Sequence, residues 1–141
     1  GSIESPGSID IYTFEASAGD AVCFLDSQGP CGLRWRLLDP SGVLVFEDSA
    51  VCTNDPGTFV LPRSGTYQAV VFGINSAVGS YGIAVLPSRG ADLDSDCHVT
   101  AADIALLLGA WGVCSAPCAA DFNTDGIVDA ADLATLLGEW G

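Results

Sequence analysis

Lysine is absent from this chain of 141 residues, and its fixed positive charge comes from four arginines alone. Against them stand 18 acids, for a formal net charge of −14. That balance excludes nucleic acid and anionic membrane surfaces as partners, because both would be repelled. Basic residues stop at Arg89: residues 1–89 hold nine acids and four arginines, whereas residues 90–141 hold nine acids and no base. Histidine occurs once, as His98, which leaves a nucleophilic triad without a free choice of base. No G-x-S-x-G elbow, P-loop or dinucleotide fingerprint is present, so the chain reads as non-enzymatic. Acid pairs of the kind used in glycoside hydrolysis could be drawn from Asp10, Glu15, Asp26, Glu47 and Asp48; their ordinary reading is a solvated surface. No apolar run reaches the roughly 18 residues of a membrane span, so no membrane insertion is expected. No signal peptide is visible, and any leader is expected to have been removed.

What is present divides in two. Hydrophobic residues make up 49% of the chain, enough for a packed core. Up to about residue 87 they alternate with polar residues at period two, between turn signals. Strands are expected over residues 9–14, 21–26, 31–38, 43–48, 58–61, 66–73 and 80–86, with Asp39-Pro40-Ser41-Gly42 as a hairpin turn. Short strands at this spacing predict an antiparallel β-sandwich over residues 1–87. The pattern breaks around residues 86–90, and residues 88–141 are expected to form a second, small α-helical domain.

That second part repeats itself at an offset of 29: residues 92–112 match residues 121–141 at 12 of 21 positions. Each copy is a polar loop followed by a helical stripe. Ile104, Leu107, Leu108 and Trp111 stand at i, i+3, i+4 and i+7, as do Leu133, Leu136, Leu137 and Trp140. The two stripes are expected to face each other, with Gly112 and Gly141 as caps.

The loops carry calcium chemistry. A calcium loop places oxygen ligands at positions 1, 3, 5, 7, 9 and 12, position 7 through its backbone carbonyl. The second copy supplies Asp121, Asn123, Asp125, Ile127 by its carbonyl, Asp129 and Asp132; the first supplies Asp92, Asp94, Asp96, His98 by its carbonyl, Thr100 and Asp103. Gly126 occupies the sharp turn at position 6, whereas the first copy has Cys97 there, a turn either strained or tethered by a disulfide. Two calcium ions are the expected cofactors. No helix precedes either loop, so each is half of an EF-hand, and Val99 and Val128 are expected to bridge the loops. Ion binding is expected to be coupled to folding.

The paired D-x-[DN]-x-D-[GC]-x-V-x-A-A-D-[IL]-A segments at 92–105 and 121–134 resemble those of type I dockerins, a likeness covering residues 91–141. The resemblance implies a calcium-dependent module docking on a cohesin-like receptor. Positions 10 and 11, Ser-Thr in cellulosomal dockerins, are here Ala101-Ala102 and Ala130-Ala131. Residues 1–87 resemble, less specifically, the bacterial pre-peptidase C-terminal domain, through Ser5–Phe14, Ala18-Gly19-Asp20, Leu38–Gly42 and Ser64–Tyr67. That family implies a jelly-roll-like, non-catalytic sandwich. Together the two likenesses imply a calcium-stabilised extracellular or cell-surface module of a bacterial secreted protein. It would join proteins by anchoring or by self-assembly into a filament. The alternative is a carbohydrate- or collagen-binding accessory module of a secreted hydrolase, with Tyr12, Trp35, Tyr67 or Tyr81 meeting polysaccharide or collagen.

Six cysteines in a chain this small point to disulfides and an oxidising compartment. If Leu38 pairs with Val43, partners in that hairpin sum to about 81. This places Cys31 near residue 50 and favours a Cys31–Cys52 bridge. Cys114 and Cys118 can close a small loop. Cys23 and Cys97 then either join each other, or Cys97 bonds Cys114 or Cys118 and leaves an odd thiol for an intermolecular bridge, and the sequence does not decide between them.

Overall fold

Period-two alternation in the first 87 residues folds as nine described strands in the computed structural model: β1 (Ser2–Ile3), β2 (Ile9–Ala16), β3 (Ala21–Ser27), β4 (Leu33–Leu38), β5 (Leu44–Ala50), β6 (Gly57–Val60), β7 (Gly65–Gly73), β8 (Gly79–Ser80) and β9 (Gly82–Pro87). The structure describes residues 1–27, 29–52, 55–115 and 117–141, without the side chains of residues 27, 48 and 49; the candidate Asp48 carboxylate therefore lies outside the described residues. The chain divides into two compact units, Gly1–Pro87 and Ser88–Gly141.

In the first unit two antiparallel sheets face each other, ordered β2-β7-β4-β5 and β6-β3-β9, with β1 and β8 paired beside them. Alternation sets the inner face: along β4, Leu33, Trp35 and Leu37 are buried and the residues between them are not. Phe24 of β3 sits at the centre of the core, with Trp35, Phe46 and Phe59 meeting its ring edge-on at 5.9, 5.2 and 5.8 Å between centroids. Trp35 and Tyr67 have no exposed surface, and the Tyr67 hydroxyl donates to the Arg63 carbonyl. Neither can serve as a sugar- or collagen-binding aromatic.

The hairpin turn is built by one carboxylate. Asp39 accepts the backbone N–H groups of Ser41 and Val43 and the Ser41 hydroxyl, and its other oxygen meets Arg63 Nε at 3.0 Å. The Ser41 hydroxyl foremost holds this carboxyl below its ordinary value, against the opposing effect of burial; the two N–H groups and Arg63 add to the lowering. A carboxylate so depressed stabilises the fold above the ordinary carboxylate range and loses that contribution as pH falls. Asp39→Ala is therefore expected to lower the melting temperature at pH 7, and the gap from the parent should be smaller at pH 3. Thermal melts at both values check this.

Beyond the turn, β4 and β5 pair as Leu38 with Leu44, Leu37 with Phe46 and Arg34 with Ala50, with register shifts between. The expected constant sum of 81 fails because bulges insert residues into one strand. The Cys31–Cys52 bridge forms nonetheless, closing a separation of 21 residues. From that loop length its removal by Cys31→Ser with Cys52→Ser should cost about 3 kcal/mol, read as a fall in the denaturant midpoint.

In the second unit, α1 (Ala101–Gly109) and α2 (Ala130–Gly138) flank β10 (Gly112–Val113) and β11 (Ile127–Val128). Leu107 and Leu136 are fully buried with Ala91, Val99, Ala120 and Val128, and Ile104, Leu133, Leu93 and Phe122 pack around them. Three expectations change here. The helices end at Gly109 and Gly138, so the caps are Ala110 and Glu139 rather than Gly112 and Gly141. Trp111 and Trp140 consequently lie past the helix ends and, with Leu108 and Leu137, stand about half exposed. Val99 and Val128 do not pair with each other. Val128 pairs with Gly112, and the Val99 carbonyl accepts the Gly141 N–H at 3.1 Å. Each loop is thus held by the residue that follows the other repeat's helix. Cys114 is bonded to Cys118, which excludes a bond from Cys97 to either. No cysteine is free among the described residues.

Candidate metal centre

Each loop turns around its own first aspartate. The Asp96 N–H lies 3.2 Å from both Asp92 Oδ1 and Asp94 Oδ1; at the same places in the second loop, the Asp125 N–H lies 3.2 Å from Asp121 Oδ1 and 3.0 Å from Asn123 Oδ1. Cys97 and Gly126 donate to the other oxygen of Asp92 and Asp121 at 3.0 and 2.9 Å. His98 and Ile127 donate to Asp96 and Asp125 at 2.8 and 2.9 Å. A shared hydrogen-bond plan at an offset of 29 is what an ion-wrapping loop requires: alternate residues turn their oxygens to one centre while amides hold those oxygens in place.

The reversal needs left-handed backbone at two points in each loop. Position 6 supplies one, Gly126 at φ 88° and Cys97 at φ 77°. Position 4 supplies the other, Ser95 at φ 63° and Thr124 at φ 59°. A non-glycine residue there pays a steric penalty, and Cys97 keeps that conformation in spite of its side chain.

The last position closes the loop onto the helix. Asp132 is fully buried; its Oδ1 accepts from Phe122 at 2.8 Å and Asn123 at 3.4 Å, and its Oδ2 from Asp129 at 2.9 Å. Asp103, also fully buried, accepts from Leu93, Asp94 and Thr100 at 2.7, 3.2 and 2.7 Å. Burial pushes the Asp103 carboxyl up, but the N–H groups of Thr100, Leu93 and Asp94 outweigh it and hold it below its ordinary value. For Asp132 the Asp129 N–H leads, and the result is the same. Both carboxyls are therefore ionised at neutral pH and aimed by the backbone.

Sequence reasoning missed what position 9 does. Thr100 and Asp129 are the N-caps of α1 and α2, accepting the N–H of Ala102 and Ala131 at 3.2 and 2.7 Å, and each forms a capping box with the aspartate three residues on. The T-A-A-D and D-A-A-D strings carry that signal.

The carboxylate oxygens of Asp92, Asp94 and Asp96 gather within 4.8 Å of one another. Asp94 is pushed above its ordinary value, by burial first and then by the charges of Asp103, Asp96 and Asp92. In the second loop Asp121, Asn123 and Asp125 occupy the matching places, with Asn123 Nδ2 donating to Asp125 at 3.0 Å. The donor set is all oxygen, hard and anionic, and fits calcium rather than zinc or copper. His98 is exposed at the rim; through its carbonyl it could offer one more oxygen, as could Ile127.

No protein-family model matches the chain, and no curated protein matches it. Among the solved structures that match are periplasmic inhibitors of g-type lysozyme. PliG of Aeromonas hydrophila is 19% identical over 61% of this chain and 80% of its own, with a TM-score of 0.47. PliG of Salmonella Typhimurium is 21% identical over 60% and 85%, with a TM-score of 0.42. A PliG mutant from Escherichia coli is 22% identical over 60% and 82%, with a TM-score of 0.43.

These neighbours are neither dockerins nor pre-peptidase C-terminal domains, and both resemblances are corrected accordingly. The calcium-stabilised anchoring or filament function falls with them, as do the cohesin-like receptor and the carbohydrate- or collagen-binding alternative. The physical reason lies in the motifs. A loop repeat specifies local chelate geometry, and turn strings such as Asp39-Pro40-Ser41-Gly42 recur wherever short strands reverse; neither carries a partner.

Proposed function

We propose that residues 88–141 hold two calcium ions, one in each loop, as the structural cofactors of a non-catalytic, exported protein that acts on another protein. In the first site Asp92, Asp94, Asp96, Asp103, Thr100 and the His98 carbonyl would supply the oxygens. In the second these are Asp121, Asn123, Asp125, Asp132, Asp129 and the Ile127 carbonyl. The single observation that carries the reading is the recurrence of one hydrogen-bond plan in both loops, with a buried, ionised aspartate closing each. When bound, calcium would neutralise carboxylates that otherwise repel. Disulfides at Cys31–Cys52 and Cys114–Cys118 suit an oxidising compartment.

Amide spectra of the full chain recorded during a calcium titration test the reading. Shifts or newly appearing signals are expected at residues 92–103 and 121–132 and in α1 and α2. Calcium added to millimolar levels without effect on those amides would overturn it.

A further inference from the structure

Alternation along β4 buries Leu33, Trp35 and Leu37 and turns Arg34, Arg36 and Leu38 to the outer face of the sheet β2-β7-β4-β5. The register sets their neighbours there. Ile9, Phe72 and Arg34 stand in one row across β2, β7 and β4, and Ile11, Val70 and Arg36 in the next row but one along the chain. Further on, Leu38 pairs with Leu44 of β5. Ile9, Ile11 and Leu44 are 56%, 52% and 40% exposed. A sheet face open to water ordinarily carries polar residues; this one is apolar around two cations.

Those cations are short of acceptors. The chain has four arginines, and the other two are engaged: Arg63 with Asp39 at 3.0 Å, and Arg89 with the Glu139 carbonyl at 2.7 Å. Among the described residues no carboxylate, Glu47 of β5 included, pairs with Arg34 or Arg36. Arg36 lies over the Phe72 ring, 5.0 Å from its centroid, and its buried Nε has no hydrogen-bond partner. Glu15 stands on the same face farther along β2, where it accepts from the Thr66 hydroxyl.

Geometry and charge say what fits. Residues two apart on one strand are about 7 Å apart, so the two guanidinium groups match two carboxylates at like spacing, each met by parallel N–H donors. Arginine and aromatic side chains amid apolar ones are the composition of a protein–protein contact centre. The net charge of −14 opposes polyanions and a second copy of this chain by long-range repulsion. A strongly acidic partner meets the same repulsion, so the match is local, between one pair of carboxylates and one pair of arginines.

We propose that the outer face of β2-β7-β4-β5 is where this chain meets its protein partner. The partner presents two carboxylates to Arg34 and Arg36 from an otherwise apolar surface laid over Ile9, Ile11 and Leu44. The inference rests on the reading that the protein acts on another protein, and it does not rest on calcium.

Amide and guanidinium spectra of the full chain in excess calcium, titrated with a 15-residue helical peptide, test it. One face of the peptide carries two glutamates four residues apart, about 6 Å between Cβ atoms, flanked by leucines. Saturable shifts are expected at Ile9, Ile11, Arg34, Arg36 and Phe72 and at the Arg36 Nε–H. Exchanging the glutamates for glutamines should weaken binding about tenfold or more, because hydrogen bonds between charged groups are the stronger kind. Arg34→Gln with Arg36→Gln should weaken the glutamate peptide to the same degree and leave the glutamine peptide unaffected. Equal binding of the two peptides to the parent chain, a comparison that needs no variant, would overturn the proposal. So would the same shifts from inorganic phosphate at equal concentration, which mark a free-anion site, or no shift at millimolar peptide. The calcium titration reads residues 92–103 and 121–132, none of them on this face, so failure of the one is told apart from failure of the other.

Discussion

Chelation of calcium with EGTA is expected to abolish the helical circular-dichroism signal of residues 88–141 while the β signal of residues 1–87 persists. The reason is the size of what remains without metal. The core of this unit rests on six fully buried or nearly buried residues, Ala91, Val99, Leu107, Ala120, Val128 and Leu136. Its two helices are nine residues each, too short to persist alone in water. Units this small ordinarily need a metal or crosslinks, and the Cys114–Cys118 bridge spans only four residues. Against that, a site at thousandfold excess of ligand over Kd adds about 4 kcal/mol, so two sites together would supply about as much as a small domain's whole stability. Removal should be reversible on adding calcium back. Retention of the full helical signal in EGTA would contradict the coupling.

Asp132→Ala should do more than empty one site. The carboxylate accepts three backbone N–H groups in the loop and its cap, and all three lose their partner. The second loop then loosens at β11, which is paired through Val128 with Gly112 beyond α1. The reciprocal bond, Gly141 N–H to the Val99 carbonyl, ties the first loop to the end of α2. The two sites are therefore mechanically linked, and loss of the second should weaken calcium at the first by roughly five- to 150-fold, the usual span of coupling between sites. Asp103→Ala should, by the same link, weaken calcium at the second site. Calorimetric titration of each variant reads the remaining affinity; an unchanged first site in Asp132→Ala would show that the bridges transmit nothing.

The seven longer strands were legible because period-two alternation and turn residues mark them directly. Their register was not. The shifts between Trp35 and Leu37 and between Leu37 and Leu38 arise from packing across the sandwich, which no local pattern encodes. The two-residue strands β1 and β8 were equally invisible, being too short to alternate. In the second unit the spacing of Asp92, Asp94, Asp96 and Asp103 is local and can be read along the chain, as can that of their counterparts. The exit bridges are not local: they join Gly112 with Val128 and Val99 with Gly141, each from one repeat to the other, and the simpler guess of Val99 against Val128 followed from their equal loop position. The helical stripe misled for a related reason. Nine-residue helices end before Trp111 and Trp140, so a periodic pattern ran on past the element that would have given it meaning. Family and partner lay furthest from reach, because chelate geometry and turn chemistry recur without either.

Calorimetric titration of the calcium-free full chain with calcium tests the central claim most directly. Two equivalents of calcium are expected to bind per chain, with the helical signal rising in step. A stoichiometry of zero, with the helices already formed, would contradict it.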